Sequence, residues 1–172
     1  MPVTYNLIAN NTLSSSAASV TFSSIPSSYT DLVVRISARD NSVNTYLQMF
    51  FTYNNNTTAV YSVTKLTGTG SVASSTRQST QTEHQDPLET SNNATGNTFS
   101  SAELYIPNYS GATYNKVYSS SSVAENNATT AGIQAASGLW RATTAISSIE
   151  IYPTTGSLVS GSSFYLYGIK NS

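Results

Sequence analysis

The chain has 172 residues, a formal net charge of -1, 9% charged residues and no cysteine. An average globular protein is roughly 25% charged. Near-neutrality excludes the basic footprint of a nucleic-acid or anionic-membrane binder, and the lack of Cys excludes a disulfide scaffold, a thiolate metal site and a cysteine nucleophile.

The polarity is carried by Ser, Thr and Asn, about 40% of the chain against much lower ordinary usage. Tyr is also abundant, at 12 residues. Thr, Tyr, Val and Ile favour strands, whereas Ser and Asn favour turns. No apolar run reaches the roughly 20 residues of a membrane-spanning helix. The first residues, Met1-Pro2-Val3-Thr4-Tyr5-Asn6, show no basic region followed by an apolar stretch, so no secretory leader is expected.

Period-two alternation recurs from end to end, without a helical period. It predicts strands at 3–9 and 18–22, the second closed by Ile25-Pro26-Ser27-Ser28. The next, 32–39, is the clearest: Leu32, Val34, Ile36 and Ala38 share one face, and Val33, Arg35, Ser37 and Arg39 the other. That is a strand with one buried side. Residues 43–53 repeat the pattern, with Val43, Leu47, Met49 and Phe51 on one face and Tyr46, Gln48 and Phe50 opposite. Further strands are predicted at 59–66, 102–106, 114–119, 133–140, 146–152 and 164–169. Turn signals stand between nearly all of them, among them Asn54-Asn55-Asn56, Gly68-Thr69-Gly70, Ser110-Gly111, Asn126-Asn127 and Ser160-Gly161. Many short strands without intervening helices predict an all-β fold: a single antiparallel β-sandwich of jelly-roll type over 1–172. The expected core includes Leu32, Val34, Ile36, Leu47, Met49, Leu104, Ile149, Ile151 and Leu166. Residues 1–11 are expected to form a short N-terminal arm. Residues 71–98, almost wholly polar, are expected to form a projecting loop with at most a short edge strand.

The catalytic inventory is thin. A Ser–His–Asp arrangement would have to use His84, the one histidine, and no Gly-x-Ser-x-Gly elbow is present. Glu83-His84-Gln85-Asp86, with Glu89 nearby, has the composition of a metal cluster, but adjacent side chains on an extended segment point apart. Asp31, Asp40, Glu103, Glu125 and Glu150 are scattered and show no paired-carboxylate motif. Gly68-Thr69-Gly70 lacks the Lys and the following helix of a phosphate loop and reads as a hairpin turn. No catalytic, cofactor-binding or metal-binding residue is therefore assigned, and no cofactor is expected. Tyr165 and Tyr167 share a face with Ile169, opposite Phe164 and Leu166. Packing on both faces of a buried strand is the preferred reading, and an exposed surface recognising protein or sugar is the alternative. The Asn-x-Ser/Thr triplets follow from the composition itself.

Two stretches carry a resemblance: Phe22-Ser23-Ser24-Ile25-Pro26 with Tyr29 and Asp31-Leu32, and the terminal Phe164-Tyr165-Leu166-Tyr167-Gly168-Ile169. The chain resembles small β-sandwich virion surface proteins of tailed bacteriophages, such as those of cyanophages and other marine phages. The resemblance covers the two ends of the chain and implies no catalytic residues. It implies a non-enzymatic structural protein, foremost a capsid decoration (cement) protein that stabilises the assembled shell. Its partners would be the major capsid protein and copies of itself, as a homotrimer, with no nucleic acid or membrane involved. It would be made in the host cytoplasm and end on the outer capsid surface. The alternative is a tail-fibre or tail-tip module that recognises a host surface glycan.

Overall fold

The alternation is realised as twelve β-strands in a computed structural model that describes residues 4–127 and 130–170, with no helix among them. In chain order they are β1 Tyr5–Thr12, β2 Val20–Phe22, β3 Asp31–Ser37, β4 Tyr46–Tyr53, β5 Tyr61–Gly68, β6 Ala73–Gln81, β7 His84–Thr90, β8 Ser101–Ile106, β9 Lys116–Ala124, β10 Gly132–Trp140, β11 Ile149–Pro153 and β12 Ser163–Ile169. They form two antiparallel sheets, a large one in the order β1-β12-β3-β8-β9-β10-β5-β6 and a small one in the order β2-β11-β4-β7. The protein is thus an all-β sandwich. Two hairpins, β5–β6 and β9–β10, widen the large sheet beyond β8. The other eight strands change sheet at every step along the chain except from β4 to β7, which pair within the small sheet.

The core lies between the sheets. Leu32, Val34 and Ile36 of β3, Leu104 and Ile106 of β8, and Phe164 and Leu166 of β12 face Met49, Phe51, Ile149 and Ile151 of the small sheet, all buried. Eight of the nine expected core residues are among the buried residues; Leu47 is only half-buried. β4 begins at Tyr46, and Val43 before it is 80% exposed, so the expected start of that strand moves inward. Two glycines admit aromatic rings onto the sheet. A Cβ on Gly138 would stand 2.0 Å from Tyr118, and one on Gly168 2.3 Å from Tyr29, so each glycine is required by a close approach.

Two expectations are corrected. Residues 71–98 are not a projecting loop, because they contain β6 and β7. β6 is the outer edge of the large sheet and its side chains are mostly exposed, so Ser, Thr, Gln and Arg serve it without apolar alternation. β7 is the opposite case: six of its seven residues are buried although most are polar. Nor do the described residues of the expected N-terminal arm, from residue 4 on, stand apart from the sheet; residues 1–3 lie outside the described residues. From Tyr5 onward the segment is β1, in register with β12 from Tyr5–Ile169 to Thr12–Ser163 around a bulge near Ile8. The resulting hydrogen-bonded ladder makes it part of the sheet.

Candidate functional site

β7 brings the residues flagged in the sequence into the interior. As the edge strand of the small sheet it packs against β5, β9 and β10 of the large one. His84 is fully buried within a ring of Phe51, Tyr53, Tyr61 and Tyr118, at centroid distances of 4.6, 5.4, 4.7 and 4.5 Å. Neither imidazole nitrogen has a hydrogen-bond partner among the described residues. Burial holds its pKa well below the usual histidine value, so it is neutral, and no carboxylate orients it as a general base.

Asp86 is also fully buried, and it is satisfied. Gln134 Nε2 donates to its Oδ1 at 2.5 Å, and the Ser120 hydroxyl donates to its Oδ2. Gln134 Oε1 accepts from Thr67 at 3.0 Å and from Gln48 at 3.3 Å. Lys65 Nζ donates to Gln48 Oε1 at 3.0 Å and to the Gln85 carbonyl at 3.1 Å. This chain of amides joins the two sheets. Burial raises the Asp86 pKa, opposed by the bonds from Ser120 and Gln134 and by the Lys65 charge. Burial likewise lowers the Lys65 pKa, opposed by Asp86.

Glu89 lies buried near Asp40. Burial, then the Asp40 charge, holds its carboxyl well above the usual range, which favours its protonated form. Asp40 accepts from the Ser42 N–H at 2.5 Å and the Ser91 hydroxyl at 2.6 Å. The other carboxylates are dispersed. Asp31 accepts from the Asn108 N–H and the Tyr105 hydroxyl, Glu103 pairs with Arg35, and Glu125 accepts from the N–H groups of Asn126 and Asn127. Glu83, the remaining acidic member of the flagged segment, is half-buried and accepts from Thr82 and Gln85. No group of three or more His, Asp or Glu side chains is placed to hold a metal among the described residues. The flagged residues therefore form interior polar architecture that substrate does not reach, and Glu83 stays outside it.

Accessible side chains lie on the outer face of the large sheet, which no other strand covers among the described residues. Register places side chains in transverse rows. One row runs Leu7, Tyr167, Val33, Tyr105 across β1, β12, β3 and β8. The next runs Tyr165, Arg35, Glu103, Ser121 across β12, β3, β8 and β9. A groove of about 660 Å³ follows this second row and reaches Val123 and Ile133. On its wall the Tyr165 and Tyr167 rings are stacked 6.5 Å apart at 20°, with Tyr5 edge-on to Tyr167 at 6.2 Å. Arg35 Nε donates to Glu103 Oε2 at 2.9 Å on its floor. The expected packing over both faces of the last strand therefore gives way: Phe164 and Leu166 face the core, while Tyr165 and Tyr167 border open space. The signal for this face was the alternation of tyrosine with aliphatic residues in Phe164–Ile169. The Arg35–Glu103 pair left none, because only sheet register brings it together.

The chain matches no protein-family model, no curated protein and no solved structure.

Proposed function

We propose that the chain is a non-enzymatic virion surface protein of a tailed bacteriophage, a capsid decoration protein that binds the assembled shell as a homo-oligomer. The observation that carries the proposal is the strand order. With the two lateral hairpins set aside, the sheets read β1-β12-β3-β8 and β2-β11-β4-β7, and the chain crosses between them at every step except from β4 to β7, which pair within the small sheet. We read this as the double Greek key of a jelly roll, an architecture common in viral capsid and lectin domains. Fold alone does not dictate function, so the end motifs described above supply the link to virions.

The distribution of polar groups supports a structural role. His84, Asp86 and Glu89 are enclosed, and the hydrogen bonds from Ser120 and Gln134 to Asp86 tie the two sheets together. The chain has few charges, so its stability depends little on ionic strength.

The test is the copy number in purified particles of the encoding phage, by quantitative mass spectrometry, together with electron microscopy of undecorated heads mixed with the protein. Hundreds of copies and regular density on the shell are expected. A few dozen copies or fewer, or density confined to the tail, would overturn the decoration role. Deletion of residues 1–11 is not a clean attachment test, since it removes most of a sheet strand.

A further inference from the structure

The groove on the outer face has features that the proposed capsid role does not use. Its two tyrosine rings are half-buried and stand near-parallel on one strand, 6.5 Å between centroids, where they line the groove. Their hydroxyls, and those of Ser121 and Ser163 in the same groove, make no hydrogen bond within the described residues. Arg35 and Glu103 occupy its floor, 58% and 43% exposed, and each neutralises the other at 2.9 Å.

We infer that this groove is a binding site for an uncharged oligosaccharide. Charge selects the class of ligand. The groove's one cation and one anion are already paired, so an ionic ligand would have to break the pair or bring an unmatched charge against it. A neutral ligand meets no such penalty.

Donor and acceptor capacity narrows the class further. Only Arg35 Nε is spent on Glu103 Oε2, which leaves the terminal guanidinium N–H groups as donors and the second carboxylate oxygen as an acceptor. Neighbouring sugar hydroxyls, each both donor and acceptor, answer both sets at once. The C–H faces of a pyranose ring match aromatic faces, and the free serine and tyrosine hydroxyls complete a polar rim around an apolar strip. A flat protein surface would bury the ion pair without replacing its water contacts. The inference concerns the isolated protein and stands apart from its location on a particle.

The test titrates purified, full-length protein with neutral hexasaccharides of glucose, galactose and mannose. Hyaluronan fragments serve as an anionic comparison, and amide chemical shifts serve as the readout. We expect at least one neutral hexasaccharide to bind with a dissociation constant in roughly the millimolar range or tighter, with shifts concentrated on β3, β8 and β12. Tyr165→Ala combined with Tyr167→Ala should weaken that binding at least about tenfold, and Arg35→Ala should weaken it too. Thermal melts would confirm that each variant is folded.

Three results would overturn the inference: no binding of any neutral sugar, binding of the anionic fragments alone, or neutral-sugar binding unchanged in the folded double tyrosine variant. Self-association mapped to this face and abolished by the same variant, without sugar binding, would assign the groove to contacts between copies instead. None of these outcomes bears on copy number per particle, so the two proposals fail separately.

Discussion

Gln134 of the large sheet donates Nε2 to Asp86 Oδ1 of the small sheet at 2.5 Å, in a site where both side chains are almost fully buried. The contact makes a polar interior tolerable. Asp86 receives a second bond from Ser120, and Gln134 passes the chain on to Thr67 and Gln48. Removing one member of such a network strands the others, and an unsatisfied buried group is more expensive than the bond itself was worth. Asp86→Ala should therefore destabilise the fold by about 2–4 kcal/mol. Asp86→Asn, which keeps an acceptor for Gln134, should lose less than half as much. Urea unfolding of the three proteins measures both, and equal losses for the two variants would refute the network account.

Two buried groups give stability a pH dependence of opposite sign. The His84 pKa is depressed, so the folded state disfavours its proton, and stability present above the unfolded value of about 6.5 is lost as pH falls below it. The Glu89 pKa is raised, so stability present below its unfolded value of about 4.5 is lost as pH rises above it. Between these two values the slopes oppose each other. His84→Leu removes two unpartnered nitrogens and should lie within about 1.5 kcal/mol of the parent at pH 7. From pH 6 to pH 5 the difference should move by up to about 1.4 kcal/mol in favour of the variant. Glu89→Gln should gain on the parent from pH 5 to pH 7 in the same way. Denaturant curves at each pH supply the test, and differences independent of pH would show that neither group titrates as argued.

The sequence made most of the fold legible, because most strands bury an apolar face. Leu32, Val34 and Ile36 announced β3, and Phe164 and Leu166 announced β12, through their period of two alone. Ten of the twelve strands overlap a predicted one. The two missed strands fail that test for opposite reasons. Thr76 and Gln78 on β6 have no apolar pattern because a sheet edge buries little. His84, Asp86 and Glu89 on β7 are buried with polar side chains, and an apolar pattern cannot report a strand whose inward face is polar. The groove was half legible: alternation puts Tyr165 and Tyr167 on one face, but only the two-sheet arrangement decides which face is covered.

Ile36 provides a direct check of strand orientation. It is 4% exposed within the core cluster of the sandwich, while its neighbour Arg35 points outward to Glu103. Ile36→Ala should cost about 2–5 kcal/mol. Glu103→Ala, which breaks a solvent-exposed ion pair, should cost no more than about 1 kcal/mol. Thermal or chemical unfolding reads both. Comparable losses at the two positions would mean that the faces of β3 and β8 are wrongly assigned.

Arg39 sets the conformation of the segment that leads from β7 to β8. It is 8% exposed and has no carboxylate partner among the described residues. Its Nη1 donates to the carbonyls of Thr95 and Thr98, both at 3.0 Å, and its Nη2 to those of Asn92 and Ala94 at 3.1 and 3.2 Å. Four carbonyls converging on one planar cation need the fork of a guanidinium, which a lysine ammonium cannot reproduce. Backbone bonds from Ser91 N–H to Thr45 O and from Ser100 N–H to Ala38 O anchor the two ends of the segment, so loss of Arg39 should loosen the middle first. Arg39→Met, which keeps the aliphatic stem, should destabilise the protein by about 2–4 kcal/mol, and Arg39→Lys should recover less than half of that. Amide hydrogen exchange should rise most at residues 92–98 while β3 and β12 stay protected. A uniform rise across the sandwich would indicate that Arg39 supports the whole core rather than this segment, and full recovery by Arg39→Lys would show that charge, not the geometry of the fork, holds it.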